Sequence, residues 1–217
     1  MATLETTRRQ QIEDAASALF GERGYAATSV RDIAQVLNLQ GGSLYAHVAS
    51  KEDVLWSIVS RAADRFNTEV APLATDRVAL AAAPASARLR RMIRAHVAVV
   101  TSSQRDAAVF LHEWRFLSPD RRAQMAARRD AYEALFRQVI GEGVAAGTFA
   151  PVDPKLTATA LLSSLNGIAN WYRPAGALTA EQVADQHADL FLRALTCDAP
   201  GSPLEPTTSP APRRTDR

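Results

Sequence analysis

Between residues 28 and 47 the chain carries small and hydrogen-bonding residues that suit contact with a nucleic acid: Thr28, Ser29, Gln40, Gly41, Ser43, Tyr45 and His47. Thr28 and Ser29 begin a short helical stretch, where hydroxyls and free backbone amides can hold a phosphate. Gln40 opens a second stretch, and a glutamine amide can pair with adenine through two hydrogen bonds. Gly41 and Gly42 bear no side chain, so the backbone there can approach a groove closely at a cost in helix stability. Ser43 suits a base edge or a phosphate. Taken singly, Tyr45 reads as a half-buried aromatic and His47 as a solvated histidine; their place in the series favours contact.

Two helices and a turn must position this series. Val30, Ile33, Ala34 and Leu37 recur at helical spacing and form one apolar face. Asn38 stands where the chain leaves that helix, and asparagine tolerates the left-handed conformation of a turn. In the next helix Leu39, Leu44 and Val48 point inward, which leaves Gln40, Gly41, Ser43, Tyr45 and His47 outward. This is the layout of a helix-turn-helix, whose second helix enters the DNA major groove.

The run from Thr7 to Leu55 resembles the TetR family of bacterial one-component repressors. A first helix with Ile12, Ala15, Ala16, Leu19 and Phe20 on one face leads into Gly24-Tyr25-Ala26-Ala27-Thr28-Ser29. Leu44 to Val48 and Ser50-Lys51-Glu52-Asp53 complete the pattern. Gln40, Gly41 and Val48 depart from the family's usual residues; the first two lie on the reading helix and bear on the operator sequence. The resemblance implies phosphate contacts for Tyr45, His47 and Lys51, a two-fold dimer, a palindromic double-stranded DNA operator and release by a small-molecule effector. Two reading helices one turn of DNA apart match such an operator.

A second chemistry is suggested further on. Between Arg88 and Arg137 stand eleven arginines against five acids (Asp106, Glu113, Asp120, Asp130 and Glu133). That excess fits either a solvated surface in an Arg- and Ala-rich protein or a site for an anion, since guanidinium forks suit phosphates. Trp114, Phe116, Tyr132, Trp171 and Tyr172 lie in or beyond the same stretch. Asn166 and Asn170 share one face of an otherwise apolar helix, and a buried amide needs a partner. Glu113-Trp114-Arg115, Arg129 to Glu133 and Asn166 to Gly176 resemble the TetR regulators that sense acyl-coenzyme A thioesters of fatty-acid, phenylacetate or sterol-ring catabolism. That resemblance implies an apolar tunnel for the acyl group, arginines such as Arg122 or Arg129 on the phosphates, and Trp114, Tyr132 or Trp171 stacked on adenine or lining the tunnel. For each aromatic, core packing is an equal alternative, and Asn170 and Trp171 alternatively belong to the dimer interface.

Other functions fit poorly. His47, His96, His112 and His187 have no metal-ligand spacing, and no phosphate-binding glycine loop or recognisable nucleophile accompanies them. Neither catalysis nor a resident cofactor is expected. A sensor of hydrophobic cations would need more acidic linings, and a structural DNA binder would not need so long a helical domain. With 217 residues, 47% of them hydrophobic, the chain can bury a core. The lone Cys197, polar first twenty residues and lack of a membrane-length apolar run predict a cytoplasmic protein. Residues 1–51 balance five basic against five acidic groups, so DNA affinity should fall gently with salt, by about two to four ion pairs per subunit.

No strand-like alternation occurs, and an all-α fold is expected. Thr7 with Gln10, Ser50 with Asp53 and Thr179 with Gln182 read as capping boxes. Ser118-Pro119 and Asp153-Pro154 read as cap and first-turn proline. The predicted organisation is a helix-turn-helix domain over 1–50, an effector-binding and dimerisation domain over 51–197 with a connecting helix over 51–71, and a disordered tail over 198–217. Two apolar stripes, Leu156, Ala160, Leu161, Ser164, Leu165 and Ile168, then Val183, His187, Leu190, Phe191 and Leu195, exceed the needs of one core and predict a four-helix dimer interface.

Overall fold

The computed structural model describes the backbone of residues 2–39, 44–75 and 83–196, with side chains from residue 8 onward. The described residues fold as eight α-helices and one 3-10 turn, with no strand among them. They are α1 Ala2–Arg23, α2 Val30–Val36, α3 Lys51–Thr75, α4 Ala85–Ser102, α5 Gln104–His112, the 3-10 turn Trp114–Phe116, α6 Pro119–Ala145, α7 Pro154–Trp171 and α8 Ala180–Thr196. The expected tail over 198–217 lies outside the described residues.

The helix boundaries follow local chemistry. Ser50 caps α3, with Asp53 N–H donating to Ser50 Oγ at 3.0 Å and the Ser50 hydroxyl, in place of its backbone N–H, donating to Asp53 at 2.7 Å. Thr179 and Gln182 form the full reciprocal box before α8, Thr179 N–H donating to Gln182 Oε1 at 2.9 Å and Gln182 N–H to Thr179 Oγ1 at 3.2 Å. Asp153 Oδ1 accepts from Leu156 N–H at 2.8 Å, while Pro154 occupies the first turn of α7. Gly147, at φ +69°, takes the left-handed position after α6 that only glycine occupies without strain. Two boundaries differ from expectation. The first helix starts at Ala2, so Thr7 lies inside it, and Gln10 bonds Asp14 along the helix instead. Pro72 does not end the connecting helix, which runs on to Thr75. A proline forfeits one hydrogen bond there, but the helix end is anchored by fully buried Val70 and Ala74.

One continuous apolar core runs through the described residues. Helix α3 is its spine. It packs on α1, α4, α5 and α6, and its buried face runs from Val54 to Ala74. Helix α8 lies along α4, with Arg90 and Arg94 paired to Asp189 and Asp185 at the edge. Helix α7 covers the other side of α4 and α6. The stripes predicted on α7 and α8 divide: Leu161, Leu165, Ile168, Val183 and Leu195 are buried within the chain, whereas Leu156 and Leu190 face outward.

Candidate functional site

The nucleic-acid-facing segment is built on α1 and α2. Ile12, Ala15, Ala16, Leu19 and Phe20 of α1 are buried against Ile33, Ala34 and Leu44. Ser29 caps α2 reciprocally with Asp32, accepting from Asp32 N–H at 3.2 Å while Asp32 Oδ2 accepts from Ser29 N–H at 2.7 Å. Asn38 takes φ +53°, and Leu39 N–H returns to Ala34 carbonyl at 2.9 Å, closing the turn. Gln40, Gly41 and Ser43 lie outside the described residues. Leu44 is helical and fully buried, and the chain turns through Tyr45, Ala46 and His47.

Tyr45 is 57% exposed and free to meet a phosphate. His47 is half-buried, with its Nδ1 sealed and without a hydrogen-bond partner among the described residues. Thr28 differs from expectation. Its side chain is buried, and its hydroxyl donates to the Gly24 carbonyl at 2.9 Å, so it fixes the loop rather than presenting an oxygen outward. Ser29 is exposed, but its hydroxyl is engaged with Asp32. Lys51 also differs. Its ammonium donates to the Tyr25 carbonyl at 2.9 Å and the Thr28 carbonyl at 2.7 Å, and sits 4.1 Å from the Tyr25 ring centroid. Partial burial lowers its pKa, with Asp32 opposing the shift. Lys51 therefore clasps the loop before α2 and keeps one N–H of three for a phosphate.

A cavity of about 560 Å³ lies among α3, α4, α5, α6 and α7, within the range of small-molecule sites. Its apolar wall includes Phe66, Phe110 and Leu162. Arg129, Tyr132 and Asn166, expected to bind a ligand, all line it, together with His96, Asn67 and Asp64, which sequence spacing did not single out. Arg129 is held between two aromatics, its guanidinium carbon 5.2 Å from the Phe110 ring and 5.3 Å from the Trp114 ring. Its Nη1 is sealed and without a partner, and no carboxylate among the described residues pairs with it. Burial depresses its pKa, with neighbouring Asp130 opposing. By contrast Arg128, one residue before, is paired with Asp64 and also reaches the Ser60 carbonyl.

Tyr132 and His96 share a hydrogen bond of 2.9 Å between the phenol oxygen and Nδ1. Burial raises the Tyr132 pKa well above 10 and pushes that of His96 down to about 3, with hydrogen bonding to the Asn166 side chain opposing. Both groups are thus neutral around pH 7. The other expected ligand residues do not line the cavity. Trp114 backs Arg129; Arg122 is exposed two turns away on α6. Asn170 Oδ1 accepts from His112 Nε2 at 3.2 Å. Trp171 is 49% exposed and stacks on His187 with ring centroids 6.3 Å apart.

The cavity and the helix-turn-helix meet at the 3-10 turn. On one side of Trp114, Glu113 Oε2 accepts from Tyr25 N–H at 3.0 Å; on the other, Phe116 stacks on the Tyr25 ring at 5.6 Å. Helices α1, α3 and α5 are joined beside it. Arg61 donates to Glu13 at 2.8 Å and Asp106 at 2.9 Å, and Ser17 donates to Asp106 at 2.5 Å.

Comparisons with known proteins agree with this architecture. Residues 12–58 match the sequence family described as bacterial regulatory proteins, tetR family, and residues 82–195 match the tetracyclin repressor-like C-terminal domain. The chain is 30% identical to the transcriptional repressor KstR2 of Mycobacterium tuberculosis over 192 residues, 88% of this chain and 94% of that protein. The solved structure of KstR2, described as a ketosteroid transcriptional regulator, superposes with a TM-score of 0.80 at 28% identity, covering 88% of this chain and 96% of that one. PfmR of Thermus thermophilus superposes at 0.76 with 36% identity over 85% of this chain and 98% of its own. AibR, solved in complex with isovaleryl coenzyme A and operator DNA, superposes at 0.74 with 29% identity over 87% of this chain and 98% of its own. Helix-turn-helix, helical C-terminal domain and whole-length relatives agree: this chain belongs to the TetR family of bacterial transcriptional regulators.

Proposed function

We propose that the protein is a homodimeric repressor that leaves a palindromic operator when an acyl-CoA thioester occupies the cavity among α3 to α7. The observation that carries this reading is Arg129, a guanidinium without an anionic partner among the described residues, in the wall of a cavity that also presents the apolar groups Phe66, Phe110 and Leu162. A partly buried charge without a partner is costly in proportion to the water it has lost. An effector that joins an apolar acyl group to a polyanionic carrier supplies both the anion and the apolar filler. Two relatives add support: AibR is a complex with isovaleryl coenzyme A, and KstR2 is described as a ketosteroid regulator.

Coupling runs through Trp114. A ligand that engages Arg129 shifts the ring packed on it, and Glu113 and Phe116 on either side hold Tyr25 of the DNA-binding half. Lys51 grips the same loop from α3. If the ligand binds the splayed dimer better than the operator-compatible one, it weakens DNA binding by the same factor. Thr28, Ser29, Gln40, Gly41, Ser43, Tyr45, His47 and Lys51 form the DNA-reading set in this proposal, with Thr28 and Lys51 acting mainly by holding the loop.

Asp130 and Glu133 in the same wall favour a second reading, a hydrophobic cation. Arg129 opposes it, because a cationic ligand would sit beside a buried guanidinium. The deciding measurement is thermal stability against acyl-CoA thioesters, free coenzyme A, the matching free acids and lipophilic cations. A ligand at one hundred times its dissociation constant adds about 2.7 kcal/mol. Stabilisation by thioesters that also releases a selected operator duplex supports the proposal. Stabilisation by cations alone, or thioester binding that leaves operator affinity unchanged, overturns it.

A further inference from the structure

His96 is 1% exposed, on the wall of the cavity, with its ring packed on Phe66 at 4.9 Å and Phe136 at 6.3 Å. Its Nδ1 is 2.9 Å from the Tyr132 hydroxyl, and its Nε2, with the Asn166 side chain beside it, forms no hydrogen bond of ordinary geometry among the described residues. With the Tyr132 hydroxyl as the donor of this bond, Nδ1 is its acceptor. A neutral imidazole whose Nδ1 accepts carries its own proton on Nε2. In that arrangement Nε2–H faces the cavity with the Asn166 amide beside it and no hydrogen bond of ordinary geometry among the described residues. A buried N–H without a well-formed hydrogen bond is costly, so an acceptor brought by a ligand gains affinity there.

Resting on the effector reading above, we infer that His96 Nε2–H is a subsite for a carbonyl oxygen on the buried part of the ligand, oriented by Tyr132 and gated by Asn166. Asn166 lines the cavity beside the ring; turning its amide aside opens Nε2 to the ligand. Arg129 lies one turn of α6 from Tyr132, so the cavity offers two recognition elements of different chemistry: a cation for the anionic part and a neutral donor for an oxygen. A hydrocarbon acyl group lacking the acceptor leaves Nε2 unsatisfied, which makes His96 a discriminator rather than a general binding residue. The carbonyl has two sources, the thioester group itself or a ketone further along the acyl skeleton.

The test uses the full chain and two ligand pairs. One pair is an acyl-CoA and the S-alkyl thioether of coenzyme A with the same skeleton, which lacks the carbonyl. The other is an acyl-CoA and its oxo-acyl counterpart. Calorimetric affinities for wild type should differ about tenfold within one pair, the worth of one neutral hydrogen bond. The pair that differs identifies the source. His96→Phe should bring the two members of that pair to equal affinity while keeping wild-type affinity for the member without the oxygen. Tyr132→Phe, which frees the tautomer, should reduce the ratio even if His96→Phe does not fold. Binding without preference in either pair, or a preference that survives both substitutions, overturns this inference and leaves the effector proposal standing. Failure of every probe to bind overturns both.

Discussion

His96 and Arg129 show how a single buried side chain sets the behaviour of a site. A histidine whose folded pKa is about 3 instead of about 6.5 binds its proton only in the unfolded chain. Unfolding therefore takes up a proton below pH 6.5, and stability falls as pH drops from there toward 3. We expect urea-unfolding free energy to decline from pH 7 to pH 5 in the wild type, with a shallower decline in His96→Phe. Parallel slopes for the two proteins would show that His96 is not buried neutral. Arg129 makes a separate prediction. Arg129→Met preserves the apolar contacts with Phe110 and Trp114 and removes a partly buried, unpaired charge, so thermal stability should hold or rise while the thioester-induced shift disappears. A destabilised variant that still responds to thioesters would remove Arg129 from the site.

At the scale of elements, the 3-10 turn and the N-terminus of α3 hold the DNA-reading loop from two directions. Lys51→Met removes both carbonyl contacts at 25 and 28, so operator affinity should fall at least tenfold with thioester affinity unchanged. An unaltered operator titration would reduce Lys51 to an exposed cation. Phe116→Ala takes away the ring stacked on Tyr25; in the proposed coupling it should retain both DNA and thioester binding but lose release of one by the other. That separation is the readout that plain destabilisation does not reproduce. These contacts were not legible in the sequence, since Tyr25 and Glu113 are 88 positions apart. The caps at Ser50 and Thr179 were legible because both partners lie three residues apart. Lys51 was visible as a cation at a helix start, yet its partners are carbonyls that only the folded loop brings beneath it.

Over the whole molecule, Leu156 is 71% exposed, Leu190 63% and Trp171 49%, all on α7 and α8. That exposure fits a second copy of the chain on this face. Leu190→Glu should yield a monomer by sedimentation, with operator binding lost because paired reading helices are lost; a stable dimer would place the interface elsewhere. No helix among the described residues is long and apolar enough to cross a membrane.

The sequence by itself determined the all-α class, the helix-turn-helix and most helix starts, because helical periodicity, caps and turn residues act over three or four positions. It also named Arg129, Tyr132 and Asn166, partly through family resemblance. Only the tertiary structure decided which arginines are spoken for: Arg128 meets Asp64 from a distant helix and Arg129 meets no carboxylate among the described residues, although the two are neighbours in the chain. It likewise decided that His96 joins the cavity, that Thr28 turns inward and that Asn170 and Trp171 stand outside. Burial and pairing are properties of packed helices, and the residues that cause them are far apart along the chain.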